Sequence, residues 1–410
     1  MELSPRALEV LDQVRMAGAD DVAIKDGRVF SLAYFASAEV DAVAERAHAM
    51  YSSANGLNTD AFPSLRRFQS EVVQRVTDWV GGGPSAAGFM TSGGTESLLM
   101  AVKAARERGR RERGITRPNV VLPTSAHAAF EKGCDYFGVE ARRVAVGDDW
   151  RAVPEAMEAA CDDETVLVVG SAPQYPQGVI DPSPALAAIA ARRDINCHVD
   201  ACMGGVTLAY MERLGEIVAP WNLSVEGVTS ISVDLHKYGY TAKGASVIVH
   251  RDKKLRADQT FVTDNWLGGK YGSSGVLGTK SGGPMAAAWA VMNLLGDDGY
   301  LELTNKARRA CLHLADSIGR IDGLRLRARP ESTLLSFGAV NPDDLDIFAV
   351  ADELARRGWY LDRQYPPPSL HCTVNASHAT TIDSFVADLS DAVGTIGERR
   401  GGAGAYGTVE

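Results

Sequence analysis

Between residues 85 and 250 the chain alternates short apolar runs with stretches of helical period. The runs are "NVVLP" (119–123), "ARRVAV" (141–146), "TVLVVGS" (165–171), "INCHVD" (195–200), "SISVD" (230–234) and "SVIVH" (246–250). Most are apolar almost throughout rather than at every second position. Strands of that kind are covered on both faces, as in a mainly parallel sheet flanked by helices. The intervening helices are expected at 98–109, where "LLMAVKAARERG" would close on Gly109, and at 151–161 and 184–193. The spacing predicts an α/β fold.

Outside this region the pattern changes. Residues 37–50 and 64–80 have the apolar spacing of helices, and the Asn-, Gly- and Pro-containing stretch 51–64 joins them as a loop. After "KSGGP" (280–284) a helical pattern runs from 285 to about 320. A strand (333–338), a helix (346–358), a strand (359–363), the Pro-rich "QYPPPS", a strand (370–375) and a last helix follow. At 410 residues the chain is long for one core. We expect an N-terminal helical segment (1–60), a large domain (61–300), a small C-terminal α+β domain (301–398) and a flexible tail (399–410).

Composition narrows the function classes. Hydrophobic residues make up 45% and charged residues 23%, the balance of a soluble globular protein. A net charge of -10 argues against non-specific nucleic-acid binding. No apolar run is long enough for a signal peptide or a membrane span, so a cytoplasmic location is expected. The six cysteines form no CxxC pair, so no metal site is expected and buried thiols are the simpler reading.

In an open parallel sheet, ligands bind beyond the carboxyl ends of the strands. Ser171, Asp200, Asp234, His236, Lys237 and the segment Pro123 to His127 occupy such positions. "TSGGTES" (91–97) precedes a helix. Its glycines allow close backbone approach, and the helix start offers unpaired N–H groups and a positive dipole end, which suits an anion. It lacks the GK[ST] of a nucleotide-binding loop, and a plain turn with a helix cap is an equal reading of this motif alone. A phosphate cradle, a strand-end carboxylate (Asp200) and a strand-end lysine (Lys237) together match the needs of pyridoxal 5'-phosphate. Its phosphate takes the helix start, its ring nitrogen the carboxylate and its aldehyde the amine, as a Schiff base.

"TSGGTESLLMAVKA", "SAHAAFEKG", "APQYPQGVIDP", "HVDACMGG", "VTSISVDLHKYGYTAKGAS" and "IGRIDGL" closely resemble the sphingosine-phosphate lyase family, from about Tyr34 to about Asn375. The resemblance implies the type I pyridoxal-phosphate fold with a seven-stranded sheet, in the branch that also holds amino-acid decarboxylases. It implies that Lys237 carries the cofactor, that Asp200 pairs with the ring nitrogen and that His127 stacks on the ring. It places Gly94, Thr95 and His236 on the cofactor phosphate, joined by Thr279 from the second subunit of a homodimer. It sets Lys243 toward a substrate phosphate, and Tyr34 and Tyr175 near the substrate. For both tyrosines a core aromatic is an equal reading. The family's membrane-anchored members carry a segment this chain lacks.

Three departures fall on the substrate side. Asn58 in "NGLNTDAFP" stands where the family has a histidine that binds the substrate phosphate, and Thr59 replaces a proline. Lys280 in "KSGGP" replaces an arginine, losing its forked geometry. The family's Pro-Pro-Ser-Ile-His is only partly kept in "PPPSLHCTV". The implied reaction is a retro-aldol cleavage of a 2-amino-3-hydroxy compound, possessing or lacking a phosphate, to an aldehyde and an amine. Lys237, Tyr175 and Lys243 are all candidates for moving protons. Rival readings on the same scaffold are an amino-acid decarboxylase, an aldolase for a small β-hydroxy amino compound, and a regulator without the cofactor.

Overall fold

The expected sheet is present in the computed structural model, which describes residues 3–397 and 399–404; residues 405–410 of the expected tail lie outside the described residues. Helices α1 (Pro5–Ala17), α2 (Ala38–Met50) and α3 (Pro63–Trp79) precede the sheet. The sheet strands are β1 (Ala87–Thr91), β2 (Asn119–Pro123), β3 (Glu140–Val144), β4 (Thr165–Ser171), β5 (Asn196–Asp200), β6 (Ser230–Asp234) and β7 (Ser246–His250). They lie in the order β1-β7-β6-β5-β4-β2-β3. Only β7 runs against its neighbours, so the sheet is mainly parallel. Between the strands run α4 (Gly94–Arg113), α5 (Ala129–Phe137), α6 (Pro154–Ala159), α7 (Ser183–Arg192) and α8 (Thr207–Arg213). Every residue of β2, β4, β5, β6 and β7 is buried, which is the covered-on-both-faces state that their apolar runs imply.

After β7 come α9 (Lys253–Ala257) and a hairpin of β8 (Phe261–Thr263) and β9 (Tyr271–Ser273). Helix α10 (Gly283–Ile318) is broken at Gly296, where φ is 56°. Its early residues Val291, Met292 and Tyr300 belong to the core around the large sheet. Its later residues Cys311, Leu314 and Ile318 belong to a second core. That second core packs against β10 (Leu324–Leu326), β11 (Leu334–Ala339), β12 (Asp362–Gln364) and β13 (Ser369–Thr373), an antiparallel sheet in the order β10-β11-β13-β12. Helices α11 (Ile347–Arg356) and α12 (Ile382–Thr395) cover it. Phe337, Trp359 and Phe385 are fully buried there, each worth roughly 1.5–3 kcal/mol in transfer from water. Phe30 joins this core, stacked on His378 with ring centroids 4.4 Å apart.

Helix α4 differs from its sequence-based expectation. It begins at Gly94 and runs through Gly109 to Arg113, closing on Gly114 in the left-handed region at φ 67°. Gly109 is a packing residue rather than a cap: a Cβ there would lie 2.5 Å from Val166 Cγ1 on β4. The strand expected at 359–363 is shifted, with β12 starting only at Asp362.

The register sets the site. Ser171 faces Asp200 across β4–β5, and Asp200 faces Ser232 across β5–β6. Strand β6 runs two residues further, to Asp234. The carboxyl ends thus form a step, with Asp234 and the turn that follows it rising above Asp200.

Candidate active site

The strand ends and the start of α4 enclose a cavity of about 460 Å³. It is lined by Gly94, Thr95, His127, Tyr175, Asp200, His236 and Lys237, which are seven of the positions the sequence singles out. They come from five separate stretches of chain.

Asp200 is fixed from below. Its Oδ1 accepts from the Cys202 backbone N–H at 3.0 Å and from Ser232 Oγ at 3.4 Å. Ser232 and Ser230 also contact the two ring nitrogens of His198, at 3.2 and 2.9 Å. Burial pushes His198 down to about 3, so the ring is neutral and acts as a hydrogen-bonding strut beneath the carboxylate.

Lys237 follows β6 by one tight turn. Its Nζ lies 3.0 Å from Asp234 Oδ2, and His236 Nε2 lies 3.7 Å from the same oxygen. Burial alone would raise the Asp234 carboxyl, but the Lys237 ammonium and His236 hold it below the usual range. Asp234 is singled out in the sequence as a strand end, but its role is missed there. It was legible as a strand end three residues before the lysine, but nothing in the sequence said that its side chain turns toward Lys237. Burial likewise lowers His236, with Asp234 opposing the shift.

Helix α4 brings its N-terminus over this pair. A Cβ on Gly94 would sit 2.7 Å from Asp234 Oδ2 and 3.0 Å from Cys202 Sγ, so only glycine fits. No side chain caps the first turn. Instead Glu96, a second residue missed from sequence, bridges two loops: its Oε2 accepts from Ser92 N and its Oε1 from Val276 N, both at 2.6 Å. Val276 and Leu277 complete the cavity rim.

His127 is half-buried, and its Nδ1 accepts from Ala129 N at 3.0 Å. Loss of hydration lowers its pKa, with Asp200 opposing the shift, which favours the neutral ring. Tyr175 donates from its hydroxyl to Asp362 Oδ2 at 2.5 Å, and its ring lies against His371 with centroids 4.0 Å apart.

The remaining expected residues lie outside this cavity's lining. Lys243 donates to the Leu32 carbonyl at 2.7 Å and to the His236 carbonyl at 3.4 Å, and stands 5.3 Å from the centre of the Tyr34 ring. Loss of hydration and the Lys237 charge push it down to about 8. Tyr34 packs edge-on against Tyr238, with its hydroxyl 3.9 Å from Sδ of Met203, a cavity residue. Asn58 is exposed and accepts from Ala61 N at 3.3 Å, closing its own turn. Thr279 is exposed two residues past Leu277. Lys280 turns inward, with Nζ donating to the Met90 carbonyl at 3.1 Å and lying 4.3 Å from the Phe89 ring centre. Gly56 N donates to the Lys280 carbonyl at 2.7 Å, so the loops carrying Asn58 and Lys280 are in contact.

The residues present fit pyridoxal 5'-phosphate. The cavity offers a carboxylate, a flat neutral ring, an amine and a glycine-lined helix start. Asp234 Oδ1 and His236 Nδ1 are buried at its edge without a hydrogen-bond partner among the described residues, polar capacity that a bound polar group or water would use.

The conserved-domain pattern of the pyridoxal-dependent decarboxylases matches residues 28–340. Sphingosine-1-phosphate lyase of Arabidopsis thaliana is 37% identical over 397 residues, covering 95% of this chain and 72% of that protein. The Drosophila melanogaster sphingosine-1-phosphate lyase is 38% identical over 368 residues, covering 89% and 67%. Among solved structures, the sphingosine-1-phosphate lyase of Burkholderia pseudomallei K96243 superposes with a TM-score of 0.90 at 36% identity, over 96% of this chain and 91% of that one. Glutamate decarboxylase of Lactobacillus brevis superposes at 0.83 with 20% identity, over 98% and 94%, and shares the fold.

Proposed function

From the premise that the chain belongs to the pyridoxal-dependent decarboxylase family, and within it to the sphingosine-1-phosphate lyases, we propose that it cleaves sphingosine 1-phosphate between the amine-bearing and hydroxyl-bearing carbons. It is a pyridoxal-phosphate-dependent aldehyde-lyase, releasing an aldehyde and a phosphorylated amine. The decarboxylase alternative is not favoured: relatives above 30% identity are lyases, whereas the decarboxylases found near 20% speak for the fold alone. The observation that carries the reading is the meeting of Asp200, His127, Lys237 and the α4 N-terminus in one cavity of a chain so related.

When bound, pyridoxal phosphate supplies an electron sink joined to the substrate's amine carbon. The protein does the rest. Lys237 is the amine that would hold the cofactor aldehyde. Asp234, 3.0 Å away, keeps that side chain aimed across the cavity. Asp200 would pair with the ring nitrogen, and His127 would flank the ring. Gly94, Thr95, His236 and the open N–H groups of α4 would hold the phosphate. Lys243 and Tyr34 form the outer, substrate-phosphate side. Tyr175 takes the proton from the substrate hydroxyl.

A homodimer completes this reading. The hairpin region exposes Phe261, Val262, Trp266 and Leu267 and leads directly into the cavity rim at Val276 and Leu277. Exposed apolar side chains grouped beside a site favour a partner surface. In it, Thr279 reaches the partner's cofactor phosphate and the Asn58 loop reaches the partner's substrate. The lack of any described helix long and apolar enough to cross a membrane is consistent with a cytoplasmic enzyme.

The test is direct. Purified protein should show the yellow absorbance of lysine-bound pyridoxal phosphate and release aldehyde from sphingosine 1-phosphate, and Lys237→Ala should lose both. Aldehyde release at wild-type rate from Lys237→Ala would sink the assignment of that lysine. Wild-type protein that is yellow but inert toward sphingosine 1-phosphate would sink the substrate.

A further inference from the structure

Tyr175 stands between two cavities. One is the cofactor cavity; the other, of about 720 Å³, lies beneath the small domain and is lined by Arg143, Trp150, Gln177, Asp362 and Gln364. Tyr175 and His127 line both. What holds Tyr175 in this wall is a cross-strand pair of the small sheet. Asp362 on β12 faces His371 on β13 in antiparallel register, so both side chains project from the same face. His371 takes the tyrosine ring and Asp362 takes its hydroxyl at 2.5 Å, a distance in the short range of O–H···O⁻ bonds to carboxylates. Burial and the nearby Asp362 carboxylate raise the Tyr360 hydroxyl above its ordinary value.

This arrangement has a chemical consequence. A phenol that donates its proton to a carboxylate keeps its oxygen lone pairs for another donor. In the cofactor cavity that donor is the substrate hydroxyl, whose proton must leave for the carbon–carbon bond to break. A neutral tyrosine with an ordinary pKa of about 10 is a poor base alone. Paired with a carboxylate that takes its own proton at the same moment, it becomes a relay.

We propose that Asp362 is the positioning residue of Tyr175 and the terminal proton acceptor of the cleavage step; this rests on the lyase reading above. The substrate O–H bond breaks and its proton passes to Tyr175 Oη, while the proton of Tyr175 passes to Asp362 Oδ2. The electron pair left on the substrate oxygen closes the aldehyde double bond. The pair of the breaking carbon–carbon bond passes to the amine carbon and its attached electron sink. Asp362 gives up its proton when the amine carbon takes one up, so substrate is rearranged into aldehyde and amine and nothing else is consumed. The small domain therefore supplies part of the chemistry, from an edge strand three residues long.

The experiment is a double-mutant cycle on the holoenzyme with Tyr175→Phe, Asp362→Asn and the pair, assayed on sphingosine 1-phosphate and in parallel on threonine as a small β-hydroxy amine. Asp362→Asn should lower kcat about 10²-fold, within the range for loss of a proton-transfer group, with KM, melting temperature and cofactor absorbance close to wild type. The double variant should be no slower than Tyr175→Phe. Asp362→Glu, which keeps the carboxylate, should recover part of the rate. Independent of activity, 3-fluorotyrosine placed at 175 in the cofactor-free protein should shift its fluorine resonance on Asp362→Asn. An Asp362→Asn rate within about twofold of wild type, or additive losses in the cycle, would overturn the relay. A fall in melting temperature and cofactor affinity with kcat intact would overturn it too, leaving a domain latch. The fluorine shift decides the Tyr175–Asp362 bond even if the wild-type chain cleaves neither substrate, a result that sinks the lyase reading instead.

Discussion

The proposed cofactor half of the site and the proposed substrate half, part of which lies outside the cavity lining, are built differently. The cofactor half is made of strand ends and one helix start, all set by a single buried sheet: Asp200, Asp234, Lys237 and Gly94 follow directly from β5, β6 and β1. Asp200 and Lys237 there take their partners from the same sheet or the next turn. The substrate half is assembled from distant pieces. Tyr175 is held by Asp362 across 187 residues, Lys243 by Leu32 across 211, and the loops of Asn58 and Lys280 lean on each other. The first half is set by one sheet, whereas the second depends on how the small domain and the N-terminal segment come together. Chemistry shared across the family sits in the first, and every departure from the family pattern sits in the second.

The largest effect that would break this comparison is in the cofactor half. Asp234→Asn leaves the Lys237 ammonium beside a neutral amide. Removing one partner of a buried ion pair costs about 3 kcal/mol, and a fall of several degrees in melting temperature should accompany loss of cofactor affinity. The pH dependence has a defined sign. Asp234 has a depressed carboxyl pKa in the folded protein, so its stabilisation is complete above the unfolded carboxyl value near 4 and is lost as pH falls through the lower folded value. Urea unfolding from pH 6 down to pH 3 should show a loss that is absent in Asp234→Asn. Equal melting temperatures at pH 7 would mean the pair is incidental.

A middle effect belongs to Lys243. Its ammonium, pushed down to about 8, is charged below that pH and neutral above it. If it binds the substrate phosphate, KM should rise several-fold as pH climbs through about 8, with kcat holding. Lys243→Arg keeps its charge and should flatten that rise. A kcat that grows over the same interval would instead make Lys243 a proton acceptor.

The smallest effect sharpens the comparison most. Asn58→His and Lys280→Arg restore the family residues. Each should change KM for sphingosine 1-phosphate by about twofold: Asn58→His by the scale of a neutral against a charge-assisted contact at an exposed site, Lys280→Arg by regaining a forked donor geometry. Because the two loops touch, the double variant should depart from additivity. Effects beyond tenfold in KM would mean that this loop pair presses on substrate in the assembled enzyme.

Legibility in the sequence follows the same division. Strands β2, β4, β6 and β7 were readable to the residue because strands buried on both faces read as largely apolar runs. Asp200, His127 and Lys237 were readable because strand ends are where such folds place ligands. The end of α4 was not, since Gly109 looks like a cap until Val166 is seen packed against it. Asp362 was not, since a three-residue edge strand carries no periodic signal and its partner is far away in sequence. Asp234 lay between these cases: its position was legible, but its contact with Lys237 depends on a turn that the sequence alone does not draw.

The reversed strand β7 has a further consequence, in the order of assembly. β1 touches the sheet only through β7, which is synthesised long after it. The glycine-rich start of α4 hangs from the end of β1, so it cannot settle over Asp234 until β7 has emerged and docked on β6. Pairings of such sequence separation carry the largest loop-closure cost and form late. The phosphate cradle, among the first parts of the sheet domain to be made, is among the last to be finished. A nascent chain therefore has no complete seat for the cofactor until its sheet is closed, which keeps a reactive aldehyde off half-folded protein.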